Sequence, residues 1–324
     1  MTPVRRRVGL AVLVALAAGA ILARLVIDRD PSGVIRLAWP EPEWSAFRWT
    51  AILAGTIVGG ALGLAGLMLQ VLLRNALASP AVLGVSSGAG LGVVLSWHLA
   101  GGMVWFGDDL AAVAGGLLVL GIVFALGQRR GLVDPVAIIL VGVVVSMICG
   151  ALMMLVQHLS PAGMRADLIT WMMGEIPQLV DRSTLVAAAV VTGLAAIVAV
   201  GAGRAMDVAV LDDDEARTVG LSLGRLRLFL FLASGLLTAG AVAVAGPIGF
   251  VGLVGPHAAR LLVGPRHRLL VVGSVLAGIA LVVGADAARQ TIDLGRGRLP
   301  IGVLTALVGG PLFIWLLRRG GRSG

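Results

Sequence analysis

Apolar residues recur along this chain in long runs rather than at the spacing of a half-buried helix face. A helix needs about 20 apolar residues to cross roughly 30 Å of hydrocarbon. Runs of that kind fall at 8–27, 49–73, 108–127, 135–157, 183–203, 226–246, 269–287 and 300–317. Two further stretches, 82–98 and 248–263, are shorter and rich in Gly and Pro. They predict short or broken helices inside a bundle, where irregular backbone is tolerated because it does not meet lipid. The pattern predicts an all-α polytopic membrane protein of ten segments, one transmembrane domain over 1–324 with almost nothing left for a soluble domain.

Composition sharpens this. Of the 324 residues 58% are apolar and 13% charged, with a mean hydropathy of +1.01, far from the charge content of a soluble domain. All 25 basic residues are Arg. The phosphate-binding loop GxxxxGK[ST] requires Lys, so the chain cannot hydrolyse nucleotide by that route. Cys149 is the lone cysteine, which excludes a disulfide framework or a Cys-based metal site within one copy. The net charge of +8 comes from Arg scattered between apolar runs, a placement that orients a membrane protein and does not point to nucleic acid.

With the N-terminus inside and ten alternating segments, 16 Arg fall on the inner side and 8 on the outer. Both termini are then cytoplasmic by the positive-inside rule. Arg24 remains within the first span and is expected to snorkel outward. Arg5, Arg6 and Arg7 before an apolar run mimic a signal peptide, but the nine later segments favour an uncleaved first span. Ten segments divide into halves of five, about 8–160 and 161–318, and a tandem five-helix copy must lie upside down relative to the first. The short segments at Pro80–Gly84 and Pro247–Val251 fall third in each half, as in inverted repeats around a midplane pathway.

Among the motifs, Gly55, Gly59 and Gly63, and then Gly84, Gly88 and Gly92, are spaced for close helix approach in lipid. Residues 84–88 match the GxSxG nucleophile elbow, with His257 in the other half the well-placed candidate base. That elbow requires a strand–turn–helix, so the capping reading of Ser86 and Ser87 outweighs an intramembrane serine hydrolase. The strong intramembrane ionisables are Arg24 and Asp286, too few to favour a proton- or sodium-coupled carrier. The loop at about 204–227 carries Asp212, Asp213, Asp214 and Glu215 ahead of Gly220, which predicts a short charged surface helix, with a solvated connector as the plainer alternative.

Four blocks then carry a resemblance over nearly the whole chain. They are Gly66 to Gln70 running into LLRNALASPAVLGVSSGAGLG at 72–92, Trp171 to Gly174, AGPIGFVGLVGPHAARLLVGPRHRLL at 245–270, and LPIGVLTALVGGPLFIWLL at 299–317. In this order they resemble the permease family of ABC importers for ferric siderophores, haem and cobalamin. The resemblance implies a homodimer in the cytoplasmic (inner) membrane, two separate ATPase subunits that bind ATP and Mg, and an extracytoplasmic substrate-binding protein. The chain itself would bind no cofactor and make no bonds. Gly66, Gln70, Gly84, Gly249, Gly252, Pro256, His257, Arg260 and Pro300 are its expected structural residues.

In the family the pathway is lined largely by the fifth and tenth spans. Asn75 and Leu77 resemble the cytoplasmic gate, and the fifth span here offers Ser146, Met147, Met153 and Met154 as lining. Methionine is adaptable enough to line a path for a bulky chelate. Asp214, Glu215, Ala216, Arg217 and Gly220 are similar to the coupling helix that docks on the ATPase. Arg48, Arg296 and Arg298 are the expected exposed set for the binding protein, although Ala51 replaces a second family Arg and Arg298 replaces a family Glu. An iron(III) siderophore is the leading cargo, haem or cobalamin the alternative, and an ATP-independent carrier or channel the competing class.

Overall fold

The structure, a computed structural model, describes residues 2–29, 35–100, 107–129, 132–161, 168–211, 213–292 and 299–320. Among the described residues, seven helices are long and apolar enough to cross a membrane: α1 (Pro3–Val26), α2 (Pro42–Leu72), α4 (Asp108–Leu126), α5 (Pro135–Leu159), α6 (Arg182–Gly201), α9 (Leu223–Ala245) and α11 (His267–Arg289). Three more helices, α3 (Val85–Leu99), α10 (Val251–Val263) and α12 (Ile301–Gly320), lie where the two short segments and the last run were expected. Two short helices, α7 (Gly203–Ala209) and α8 (Asp213–Thr218), connect α6 to α9. Two small antiparallel ribbons, Ile27–Arg29 with Ile35–Leu37 and Gln128–Arg129 with Leu132–Val133, depart from an all-helical reading. Each closes a tight connection whose helices already satisfy their own backbone groups, so no apolar pattern announces it.

Helix starts follow local chemistry. Asp134 accepts from Val136 N and Ala137 N ahead of Pro135, and Asp181 caps Ser183 and Thr184 at the start of α6. A carboxylate there satisfies orphan amides and the helix dipole. These backbone and hydroxyl donors, led by the Ser183 side chain, hold the Asp181 carboxyl below the usual carboxylate range.

Burial separates centre from rim. The apolar window of α2 is 83% buried and that of α6 only 17%, so α2 stands inside and α6 presents its apolar surface outward. With no net hydrophobic drive between helices in lipid, close contact relies on small residues. Cβ atoms added at Gly59 and Gly63 would lie 2.4 and 2.2 Å from the carbonyl oxygens of Gly278 and Ser274 on α11. One added at Gly66 would lie 1.8 Å from Gly252 O on α10. Gly88 and Gly92 make the equivalent approach to Gly115 and Ala111 on α4, whereas Gly55 meets mainly the Val283 side chain.

The first span corrects one expectation. Arg24 does not snorkel; it is buried and its Nε donates to Asp286 on α11. Arg289 Nε donates to the other Asp286 oxygen at 2.6 Å, and its remaining nitrogens reach Glu175 Oε1 at 3.1 Å and Ile176 O at 3.2 Å. A carboxylate in reach made an interior position better than a strained path to the interface. The same end of the bundle exposes Trp39, Trp44 and Trp49, with the Trp44 and Phe47 rings 5.9 Å apart, an aromatic group of the kind found at membrane–water boundaries.

Candidate functional site

At the opposite end from those tryptophans, α2 stops at Leu72 and the chain turns through 74–79 before a 3-10 turn at Pro80–Leu83. Asn75 N donates to Gln70 O at 3.1 Å, and Asn75 Oδ1 accepts from Leu77 N at 2.9 Å. This side-chain-to-backbone turn leaves Asn75 and Leu77 exposed at the surface. Gln70 is buried and its Oε1 accepts from Arg260 Nη2 at 3.2 Å, which ties the turn to α10 across 190 residues of sequence. Gly84 follows in the left-handed region at φ 73°, where a side chain would be strained, and begins α3.

Residues 84–88 therefore follow the 3-10 turn and open α3, and the elements directly before Ser86 are α2 and that turn, not a strand. That removes the strand–turn–helix a nucleophile elbow needs, and the formal GxSxG match is a helix start. His257 and Pro256 lie within α10, Pro256 is buried, and the His257 ring meets Phe313 edge-on at 6.3 Å. Pro300 O accepts from Leu304 N at the start of α12.

The α7–α8 segment lies at the same end as the 74–79 turn. Asp207 on α7 accepts from His267 N at 2.9 Å and its Oδ1 lies 2.7 Å from His267 Nδ1, which fixes α7 to the start of α11. In α8, Asp214 and Glu215 are exposed and Ala216 is fully buried, a short helix that anchors one side and presents acids on the other. Gly220 ends it at φ 83°, with Leu221 N donating to Ala216 O at 3.1 Å. This is a left-handed cap that only Gly adopts cheaply. The Arg217 side chain lies outside the described residues. Asp213 Oδ1 accepts from Arg74 Nη2 at 2.6 Å and from Arg227 Nη2 at 2.7 Å. Partial burial pushes the Asp213 carboxyl up, but the charges of Arg227 and Arg74 more than offset this and hold it below the usual carboxylate range. Sequence reasoning missed Arg74, Asp207, Asp213 and Arg227 as partners, because nothing in their spacing says that they meet.

The α5 residues divide. Met147 and Met154 are 70% and 73% exposed on the outside of the chain. Met153 is 7% exposed and packs with Val94, Val156 and Leu168, so it is a core residue, drawn in by the gap beside Gly90. Ser146 Oγ donates back to Gly142 O at 2.7 Å and borders Gly84. An apolar cleft of about 350 Å³ opens between Met172, Met173, Pro247, Gly249, Gly302 and Leu307. It brings together three of the four sequence blocks, and Gly249 faces open space there rather than a helix.

Arg48 corrects the docking expectation. It is only 8% exposed, and its Nη1 donates to Leu25 O at 2.7 Å, bracing α2 against the end of α1. A buried guanidinium that donates to a carbonyl at the end of a neighbouring helix is not available as an exposed pair. Arg296 and Arg298 lie outside the described residues.

The comparisons with known proteins agree with this arrangement. The family model described as the FecCD transport family matches residues 8–319. The chain is 34% identical over 280 residues to the haemin transport system permease HmuU of Yersinia pestis, covering 85% of this chain and 83% of that one. It is 37% identical over 291 residues to the vitamin B12 import permease BtuC of Serratia proteamaculans, covering 87% and 85%. Among solved structures, an inward-facing metal-chelate type ABC transporter superposes with a TM-score of 0.85 at 29% identity over 97% of this chain and 99% of that one. PsaBC from Streptococcus pneumoniae shares the fold at 15% identity, with a TM-score of 0.53 over 83% and 90%. A family match over almost the entire length, joined to relatives above 30% identity on both chains, has one reading: the chain belongs to the FecCD transport family.

Proposed function

We propose that the chain is the permease subunit of an ABC importer that moves an iron(III) chelate across the cytoplasmic membrane. Two copies would enclose the pathway, two ATPase subunits would bind ATP and Mg, and an extracytoplasmic binding protein would deliver the cargo. The observation that carries this reading is the apolar cleft formed by Met172, Met173, Pro247, Gly249, Gly302 and Leu307. A bulky chelate with an apolar exterior needs such a wall, wide and without fixed charge, so that it is not held in transit. Met147 and Met154 extend the same kind of surface along α5. The coupling role falls to α8, whose Asp214 and Glu215 face outward while Ala216 anchors it. Arg217 and Gly220 complete that segment, and Arg296 and Arg298 are left as the docking pair for the binding protein. The relatives named for haemin and vitamin B12 support haem or cobalamin as the alternative cargo.

Ten spans in two inverted halves of one domain belong to this proposal. Packing supports it: α2 packs on α11 as α9 packs on α4, and α3 packs on α4 as α10 packs on α11. Left-handed residues flank both breaks, Arg74 and Gly84 around one, Gly246 and Phe250 around the other. Both termini and α8 would then face the cytoplasm. Reporter fusions at the two ends are expected to give the same cytoplasmic signal, and opposite signals would defeat the ten-span arrangement.

The decisive experiment reconstitutes the permease with its ATPase and binding protein in proteoliposomes. ATP-dependent uptake is expected for a ferric siderophore, above haem and cobalamin. Preference for either of those would change the cargo, and uptake by the permease alone would replace the importer with an unassisted carrier.

A further inference from the structure

Arg74, just past the end of α2, bonds to two neighbouring helices more than 130 residues further along the chain. Its Nε donates to Ala209 O at the end of α7 at 2.9 Å, and its Nη2 to Asp213 Oδ1 at the start of α8 at 2.6 Å. Arg227, in the first turns of α9, holds the same carboxylate at 2.7 and 3.0 Å. Arg74 is also a non-glycine residue in the left-handed region, with φ 48°. A residue with a Cβ pays for that conformation, and it persists where the surroundings over-determine it.

The next residue is anchored elsewhere. Asn75 N donates to Gln70 O, and the Gln70 side chain accepts from Arg260 on α10. The 74–79 turn therefore sits between two grips, one on α7–α8 and one on α10. Any shift of α8 relative to α10 must be taken up there. The Arg74 and Asp213 side chains are 29% and 34% exposed, and ion pairs so open to solvent add little to stability. A planar guanidinium that bonds two elements with two different nitrogens is instead suited to holding position.

We propose that Arg74 is the positioning residue that carries displacement of α8 into the 74–79 turn, so that the coupling segment and the gate move as one piece. The proposal rests on the importer reading above and adds a named link to it. Without that link, α8 can follow the ATPase while the turn stays with α10.

The test uses the full complex of permease, ATPase and binding protein in proteoliposomes. Spin labels are placed at Ala76→Cys and, separately, at Val219→Cys, in a Cys149→Ser background. In the otherwise unsubstituted complex, nucleotide is expected to shift the label-to-label distance between the two copies at both positions. With Arg74→Ala, the shift at position 219 persists, the shift at position 76 is lost, and cargo delivered per ATP falls roughly tenfold. Arg74→Lys, which keeps charge but not the planar fork, recovers part of the ratio. Asp213→Asn, similar in shape and without the charge, repeats the pattern and serves if Arg74→Ala fails to assemble. Unchanged movement at position 76 and an unchanged delivery ratio in an assembled Arg74→Ala or Asp213→Asn complex would overturn the link alone. No shift at position 219 in the unsubstituted complex would overturn the importer reading and the link with it.

Discussion

Replacing Asp286 with Ala is expected to cost about 3–5 kcal/mol of stability, the cost of leaving buried charge without its partner. Asp286 is the carboxylate between Arg24 and Arg289, all three buried, and removing it leaves two guanidinium groups facing each other. Glu175 compensates for neither loss, since it reaches Arg289 from a half-exposed position and not Arg24. The effect should appear as a large drop in the thermal midpoint of detergent-purified protein and in the yield of monodisperse material. Arg24→Ala is expected to be similarly harmful. The double change Arg24→Met with Asp286→Leu should regain only part of the loss, because it removes one stranded guanidinium and leaves the buried Arg289 with Glu175 as its sole carboxylate partner among the described residues. A near-normal melting point for Asp286→Ala would show that the pair contributes nothing to holding α1 on α11.

Gly66→Ala is the second large effect. The added Cβ would sit 1.8 Å from Gly252 O and 2.4 Å from its carbonyl carbon, so α2 and α10 would have to part by more than 1 Å along their crossing. The obstacle is main chain, which cannot change rotamer to make room. Overpacking of an interior costs typically about 1–3 kcal/mol and a backbone-to-backbone clash belongs at or above the upper end. Gly121→Ala is the matched control. An added Cβ there meets nothing within 4 Å, and the helix should gain up to about 1 kcal/mol from the better helix former. Equal melting points for Gly66→Ala and Gly121→Ala would mean that the α2–α10 contact is looser than the structure shows. Because Gln70 and Arg260 lie on the same two helices, Gly66→Ala is also expected to lower uptake in protein that does fold.

The two substitutions mark where sequence reasoning reached and where it stopped. Gly66 and Gly252 stood in the quoted blocks, and spacing identified Gly59 and Gly63 as sites of close approach. Which helix each would meet was not legible, because a small residue permits contact without choosing a partner. Arg24 and Asp286 were both visible as charges within apolar runs, yet each was read alone. Their pairing spans 262 residues and depends on α1 lying against the far end of α11. The family resemblance put Arg48 at the surface, whereas its guanidinium turns inward to donate to the carbonyl of Leu25. Met153 and Met154 are neighbours in sequence, but one residue is 100° of helix turn, enough to bury the first and expose the second.

What the chain determined by itself is its solvent, its helices and its family. Apolar runs of bilayer length cannot be hydrated, and backbone in lipid must satisfy its own hydrogen bonds, so helices follow without reference to any neighbour. Tertiary structure decided which charges neutralise each other, which glycines touch backbone, and which end of α2 is fastened to α8. The contacts that join the first part of the chain to the last, such as Arg24 with Asp286 and Gly66 with Gly252, lie more than a hundred residues apart. Such contacts are set by how helices cross, and a linear pattern of polar and apolar positions carries no term for that angle.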